Sequence, residues 1–275
     1  MREIKEKRKN NHENRIYRMR KHGFSYDRRN FEKGNCKKEE IIVSNLTEAG
    51  SRRSREKLGV ETTMDNRQVV TQAEIVFLAV KPQFYEEVLT EIKDLLTEKH
   101  ILVGIAPGKT LKWLEDTCGC PVKTVRLMPN TPAQVGAGMT AGCCNDRVTE
   151  EEAQKIREIA ESFGRFEFIP ERLMDAFSAV CGCSPAYVFM FIEAMADAAV
   201  AQGLPRSQAY SFAAQAVMGS AKMVLETGRH PAELKDMVCS PAGSTIEGVR
   251  ILEDKGMRSA VFEALTGAAE KGKRL

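Results

Sequence analysis

Apolar residues fall into short unbroken runs in the first two thirds of this chain and into helical repeats in the last third. Glu40-Ile-Ile-Val-Ser44 predicts a short buried strand. Glu74-Ile-Val-Phe-Leu-Ala-Val80 is a continuous apolar run closed by Lys81-Pro82, the pattern of a strand covered on both faces of a parallel sheet. His100–Ala106, Val122–Leu127 and Phe166–Ile169 predict further strands. The intervening stretches Ser51–Leu58, Tyr85–Leu96, Thr110–Asp116 and Glu150–Phe163 are polar or amphipathic and predict helices. Strand and helix alternate, so residues 38–169 predict a doubly wound, Rossmann-like α/β domain.

Beyond Pro170 only helical patterns remain, over 171–180, 185–202, 206–227, 231–237, 243–255 and 258–273. Gly203-Leu-Pro205, Gly228-Arg-His-Pro231 and Ser240-Pro-Ala-Gly243 mark the breaks. Small residues crowd these helices, and bulky apolar ones are too few for a self-sufficient core. Residues 170–275 therefore predict an all-α domain that completes itself by dimerising.

Residues 1–37 read differently. Their few apolar positions follow neither a strand nor a helix period, and composition alone predicts disorder. Thirteen Lys/Arg against five Asp/Glu give this segment +8, so a chain of net +3 leaves its remainder at −5. A basic arm could bind nucleic acid; the acidic body suggests no polyanion. The first residues lack the apolar stretch of a secretory signal, and no run approaches the roughly 18 apolar residues of a membrane span. The expectation is a cytoplasmic protein with neither membrane nor nucleic-acid partner. Eight cysteines include no C-x-x-C pair, and the two C-x-C pairs are poor zinc spacing, so no metal is expected.

Candidate chemistry clusters at the predicted strand ends, where open α/β sheets bind ligands. Ala79-Val80-Lys81-Pro82 follows one strand, Ile105-Ala106-Pro107-Gly108 the next, and Met128-Pro-Asn130-Thr131-Pro132 a third. Each alone is an ordinary turn; three on one rim form a candidate crevice. A fourth segment, Ser240-Pro-Ala-Gly243-Ser244-Thr245, opens a helix whose free N–H groups suit a carboxylate. The bland alternative there is an N-cap by Ser240.

These four segments, in uninterrupted order from about residue 37 to the end, resemble the pyrroline-5-carboxylate reductase family. The Ser240, Pro241, Gly243 and Thr245 core matches its signature stretch. The resemblance implies hydride transfer from NADPH or NADH to the C=N bond of 1-pyrroline-5-carboxylate, giving L-proline. It also implies a homodimer or larger homo-oligomer. Carried over by position, Ala79, Val80, Lys81, Pro82 and Ala106 would line the nicotinamide. Asn130 and Thr131, from their place in the third strand-end loop, could orient a carboxamide or a substrate. Asn45 and Asn66 would sit near the adenosine ribose and its 2′-phosphate; Arg52 and Arg53 either pair with that phosphate or form a solvated helix face. Ser240, Gly243, Ser244 and Thr245 would hold the substrate carboxylate and imine. Thr245, as the catalytic candidate, would hydrogen bond to the ring nitrogen.

One element of the family is missing. No G-x-G-x-x-G occurs before Lys37, and that loop lets backbone approach the pyrophosphate. Back-translating residues 12–36 and reading one base later permits Met-Lys-Ile-Gly-Phe-Ile-Gly-Cys-Gly-Asn-Met-Gly, and the shifted reading rejoins Lys37 in register. The expectation is that residues 12–36 are an out-of-frame translation and 1–11 derive from untranslated leader. The competing readings are a catalytically impaired chain that keeps the helical dimer, a basic nucleic-acid-binding arm on a reductase scaffold, and another imine or β-hydroxyacid reductase.

Overall fold

The computed structural model of the protein describes residues 37–274. The basic segment 1–36, with the expectations of disorder and of a shifted frame, lies outside the described residues.

The described residues up to Gly182 fall in one compact unit, and Cys183–Lys271 form a second. In the first, β1 (Ile42–Ser44), α1 (Glu48–Leu58), β2 (Glu61–Thr63), α2 (Asn66–Gln72), β3 (Ile75–Leu78), α3 (Tyr85–Ile92), β4 (Ile101–Gly104), α4 (Leu111–Cys118) and β5 (Lys123–Met128) alternate. They are followed by β6 (Gly138–Cys144), α5 (Glu150–Glu161) and β7 (Gly164–Phe168). Among the described residues, β1 pairs in parallel with β2, and β3-β4-β5-β6-β7 form a second sheet. Strands β3, β4 and β5 run parallel, whereas β6 is antiparallel to β5 and parallel to β7.

Local chemistry sets the helix starts. Thr47, Asp65, Thr110 and Thr149 each cap a helix with a side-chain oxygen that accepts a backbone N–H. At Thr149 the box is reciprocal, because Glu152 reaches back to the Thr149 N–H at 2.9 Å.

Strands β1, β3 and β4 are buried on both faces. On one side, Ile41 and Val43 join Ile75, Phe77, Ile101, Val103, Val125 and Leu127 beneath Leu58 of α1 and Ile156 and Ala160 of α5. On the other, Ile42, Val76, Leu78 and Leu102 pack beneath α2, α3 and α4 through Val69, Val70, Val88, Leu89, Ile92 and Leu114. Although β1 and β3 lie in separate sheets, they contribute to the same two cores. A three-layer α/β/α domain results, as the alternation predicts.

The strand pattern alone left three elements unread. Strand β2 and helix α2 are short, and β2 is partly exposed. Strand β6, Gly-Met-Thr-Ala-Gly-Cys-Cys, carries little β propensity. It is strand because it sits between β5 and β7, where bulk is excluded. A Cβ on Gly138 would stand 2.9 Å from the Phe163 carbonyl oxygen, and one on Gly164 2.0 Å from the Gly138 carbonyl oxygen.

The helical region begins with α6 (Met174–Phe177) and a π-helical turn over Ser178–Cys183, whose last residue opens the second unit. The second unit holds α7 (Ser184–Ala201), α8 (Arg206–Thr227), α9 (Pro231–Met237), α10 (Ser244–Asp254) and α11 (Met257–Gly272). Its buried helical residues are alanines: Ala196 on α7, and Ala209 and Ala213 on α8. Phe189, Met190, Phe212, Ile251, Leu252 and Phe262 are exposed. A helix pair that buries only alanines cannot be stabilised by its own core, and so wide an apolar surface marks an association face. The run Glu171–Ala201 is long and apolar enough to cross a membrane by length and composition alone, but Pro185, Glu193 and Asp197 interrupt it.

Candidate cofactor and substrate sites

In the first unit, β3, β4 and β5 are parallel neighbours, so their C-terminal ends share one rim. Ala79 and Val80 leave β3 half-buried, and Lys81 and Pro82 are exposed before a short 3-10 turn, Pro82–Phe84. Ala106 leaves β4 buried. Behind both loops sits Tyr85, wholly buried, whose hydroxyl donates to the Leu78 carbonyl at 2.6 Å and accepts from the Ile105 N–H at 2.9 Å. Burial pushes the Tyr85 hydroxyl well above the usual phenol range, and the backbone donors only partly oppose it.

After β5, Asn130 is partly buried. Its amide oxygen accepts the Met139 N–H at 3.0 Å, and its Nδ2 donates to the Cys181 carbonyl at 3.0 Å. Thus the side chain ties the Met-Pro-Asn-Thr-Pro loop to the start of β6 and to the π-helical turn. Just inside β5, buried Arg126 donates to Glu171 Oε1 at 3.2 Å, and the same oxygen accepts the Leu111 N–H at 2.8 Å. Neither the Tyr85 bridge nor the Asn130 tie has a signature in sequence spacing.

At the end of β1, Ser44 donates to Asn66 Oδ1 at 2.6 Å, and Asn66 Nδ2 bonds Glu91. Asn45 is buried; its backbone N–H reaches the Thr63 carbonyl at 3.1 Å and its Nδ2 the Ser54 hydroxyl at 3.2 Å. Arg52 and Arg53 are exposed on α1. An acidic residue at this strand end would read a ribose 2′-hydroxyl. Here Ser44 and Asn45 are neutral, and two guanidinium groups lie on the next helix.

The other cluster belongs to the second unit. Ser240-Pro241-Ala242-Gly243 closes a turn through the Gly243 N–H and the Ser240 carbonyl at 3.0 Å. Pro241 occupies its second position, and Ala242 has φ +55° at the third, where glycine is usual. A left-handed alanine costs about 1–2 kcal/mol, and such strain gathers at functional sites. Gly243, not Ser240, is the N-cap of α10, and no side chain caps the helix. The capping role open to Ser240 in the sequence is thus not the one taken, and the first-turn N–H groups of the helix are left uncapped. A Cβ on Gly243 would stand only 2.3 Å from Ser240 Oγ, so this hydroxyl lies directly over the helix start. Ser244 and Thr245 follow, both exposed.

No group of three or more His, Cys, Asp or Glu that could hold a metal occurs among the described residues. The seven described cysteines are free thiols; burial pushes Cys118 and Cys143 up to about 12.

Fold and sites together define an oxidoreductase with a dinucleotide domain and a helical association domain. Residues 171–275 match the family described as pyrroline-5-carboxylate reductase dimerisation, and residues 21–108 the family described as NADP oxidoreductase, coenzyme F420-dependent. The pyrroline-5-carboxylate reductase of Escherichia coli K12 is 53% identical over 220 residues, covering 80% of this chain and 82% of that protein. Among solved structures, a pyrroline-5-carboxylate reductase from Coxiella burnetii aligns with TM-score 0.89 at 32% identity, over 96% of this chain and 98% of its own. Plasmodium falciparum pyrroline carboxylate reductase with NADP bound aligns with TM-score 0.85 at 30% identity, over 95% and 97%. This chain belongs to the pyrroline-5-carboxylate reductase family.

Proposed function

We infer that the protein reduces 1-pyrroline-5-carboxylate to L-proline, the final step of proline biosynthesis, with NADPH or NADH as reductant. One observation within the chain carries the reading: an uncapped helix start behind a strained Ser-Pro-Ala-Gly turn, with Ser240 Oγ over it. N–H groups and hydroxyls converging there suit a small carboxylate.

In this reading the α10 N–H groups, Ser240 and Ser244 hold the substrate carboxylate, and Gly243 keeps the approach open. The Thr245 hydroxyl hydrogen bonds to the ring nitrogen, which gains a proton as its carbon is reduced. Ala79–Pro82 and Ala106 shape the nicotinamide side, Asn45 and Asn66 shape the ribose pocket, and Asn130 sets its loop through the Met139 and Cys181 bonds. The reduced nicotinamide, when bound, supplies the hydride. Neutral donors at β1, with Arg52 and Arg53 near, favour NADPH. The exposed apolar helices and the matched dimerisation family support a homo-oligomer; self-association also accounts for the apolar Glu171–Ala201 run without a membrane. Free thiols throughout the described cysteines support a reducing, cytoplasmic setting.

The segment before Lys37 enters the same proposal: residues 12–36 are the family's strand and glycine loop read one base out of frame. The relatives give the impaired-chain alternative no support. NADPH oxidation by pyrroline-5-carboxylate, assayed on this chain and on the frame-restored chain, tests both claims. Turnover by the restored chain is the expected result, and the turnover of this chain beside it measures what the glycine loop contributes. Failure of both to turn over refutes the substrate; equal turnover refutes the need for the glycine loop. Gene sequencing checks the frame directly, since codons 18 and 20 must yield glycine when read one base later.

A further inference from the structure

We propose that Tyr85 is a positioning residue for hydride transfer, holding the two nicotinamide-side loops at a set separation through its buried hydroxyl. The proposal rests on the functional reading above, which places Ala79–Pro82 and Ala106 beside the nicotinamide.

The β3–β4 ladder ends at the Leu78–Gly104 rung. Past it the strands part into the two loops. Tyr85 occupies the place where the ladder stops: its hydroxyl takes the Leu78 carbonyl on one side and the Ile105 N–H on the other. One O–H group therefore replaces a direct strand-to-strand bond, and its size sets how far the loops open. The ring is itself immobile. It is fully buried among Leu78, Val88, Leu89 and Leu114, with Trp113 at 6.3 Å between ring centroids. It also runs close to Gly104, where an added Cβ would lie 3.7 Å from Tyr85 Cε1 and 3.1 Å from a Leu114 methyl. Tyr85 is the first residue of α3, directly after the Pro82–Phe84 turn, so the bond to Leu78 also closes the Ala79–Phe84 loop on itself.

A tyrosine that merely fills the core needs one partner for its hydroxyl. This one takes a partner from each of two strands, at the single point where both loops begin. Hydride transfer is sensitive to such placement, since misplacing reacting groups by about 1 Å can cost about a hundredfold in rate.

The test is Tyr85→Phe in the full chain, as given and with the restored frame. It keeps the ring and removes only the bridging oxygen. The readouts are kcat, KM for each substrate, and the kinetic isotope effect with NADPH deuterated at the transferred position. Ile156→Val, a core change on the opposite face of the sheet, controls for lost stability. Tyr85→Phe is expected to lower kcat about tenfold or more. KM for pyrroline-5-carboxylate should stay within about twofold and the isotope effect on kcat should rise, as expected when loss falls on the chemical step. The control should keep kcat and isotope effect. A parental kcat and isotope effect in Tyr85→Phe, or an equal loss in Ile156→Val, overturns the proposal while the reductase reading stands. No turnover by the parent in either form overturns the reading, and this proposal with it.

Discussion

Gly243→Ala separates substrate binding from folding. Gly243 has φ −79° and ψ 168°, which alanine adopts freely, so the backbone is not strained. The new methyl would stand 2.3 Å from Ser240 Oγ and 3.1 Å from the Ser240 carbonyl oxygen. Ordinary contact begins near 3.4 Å; the carbonyl must yield by a few tenths of an ångström, and the hydroxyl must rotate off the helix start. Folding should suffer little, because Ser240 is exposed and alanine for glycine at a helix cap costs about 1 kcal/mol or less. Binding should suffer more. A hydrogen bond to a charged carboxylate is worth about 1.5–3 kcal/mol, which converts to about a 10- to 150-fold loss in kcat/KM. The loss should fall on KM for pyrroline-5-carboxylate and spare KM for NADPH. Steady-state kinetics in both substrates, with a thermal melt on the same samples, decide it. An unchanged KM for pyrroline-5-carboxylate in a normally folded variant would show that the carboxylate does not sit on this helix start.

Glu152 accepts from Lys123 at 2.5 Å and from the Thr149 N–H and hydroxyl. Burial pushes its pKa up, but those donors outweigh it and hold the carboxyl below its ordinary value. Its stabilisation is therefore full above the unfolded carboxylate range and is lost as pH falls through the folded value. Glu152→Gln keeps the capping contacts but not the charge, so it should cost about 1 kcal/mol at neutral pH, and melts across an acid series should show the gap to the parent closing. Cys118 and Cys143, held protonated with values of about 12, should resist alkylation at neutral pH until denaturant is added. Mass spectrometry checks this, and rapid native labelling of either would contradict their burial.

The strands beneath the cofactor rim were plain in the sequence because burial on both faces demands unbroken apolar runs, as at Ile75–Leu78 and Ile101–Gly104. Helix starts were legible where a threonine could cap, as at Thr110. The Ser240–Thr245 motif was legible as a motif, but two chemical roles fitted it. The structure places the N-cap at Gly243 rather than Ser240 and leaves the first turn without a side-chain cap. The place of Asn130 in a strand-end loop makes it a candidate contact for a ligand, and its bonds to Met139 and Cys181, which the sequence does not signal, also tie segments together. Strand β6 was unreadable because its pattern is set by neighbours on both sides.

From the residues alone came the family, the alternating domain followed by helices, the candidate Ser240–Thr245 turn and the break before Lys37. All of these rest on local order: period, turn residues and consecutive motifs. The fold supplied what depends on residues far apart in sequence. The Ile105 N–H meets a hydroxyl 20 positions away, Asn130 meets a carbonyl 51 positions away, and Arg126 meets a carboxylate 45 positions away. A linear chain carries no signal for such pairings, because each partner is an ordinary residue until packing brings the two together and burial makes leaving them unpaired costly.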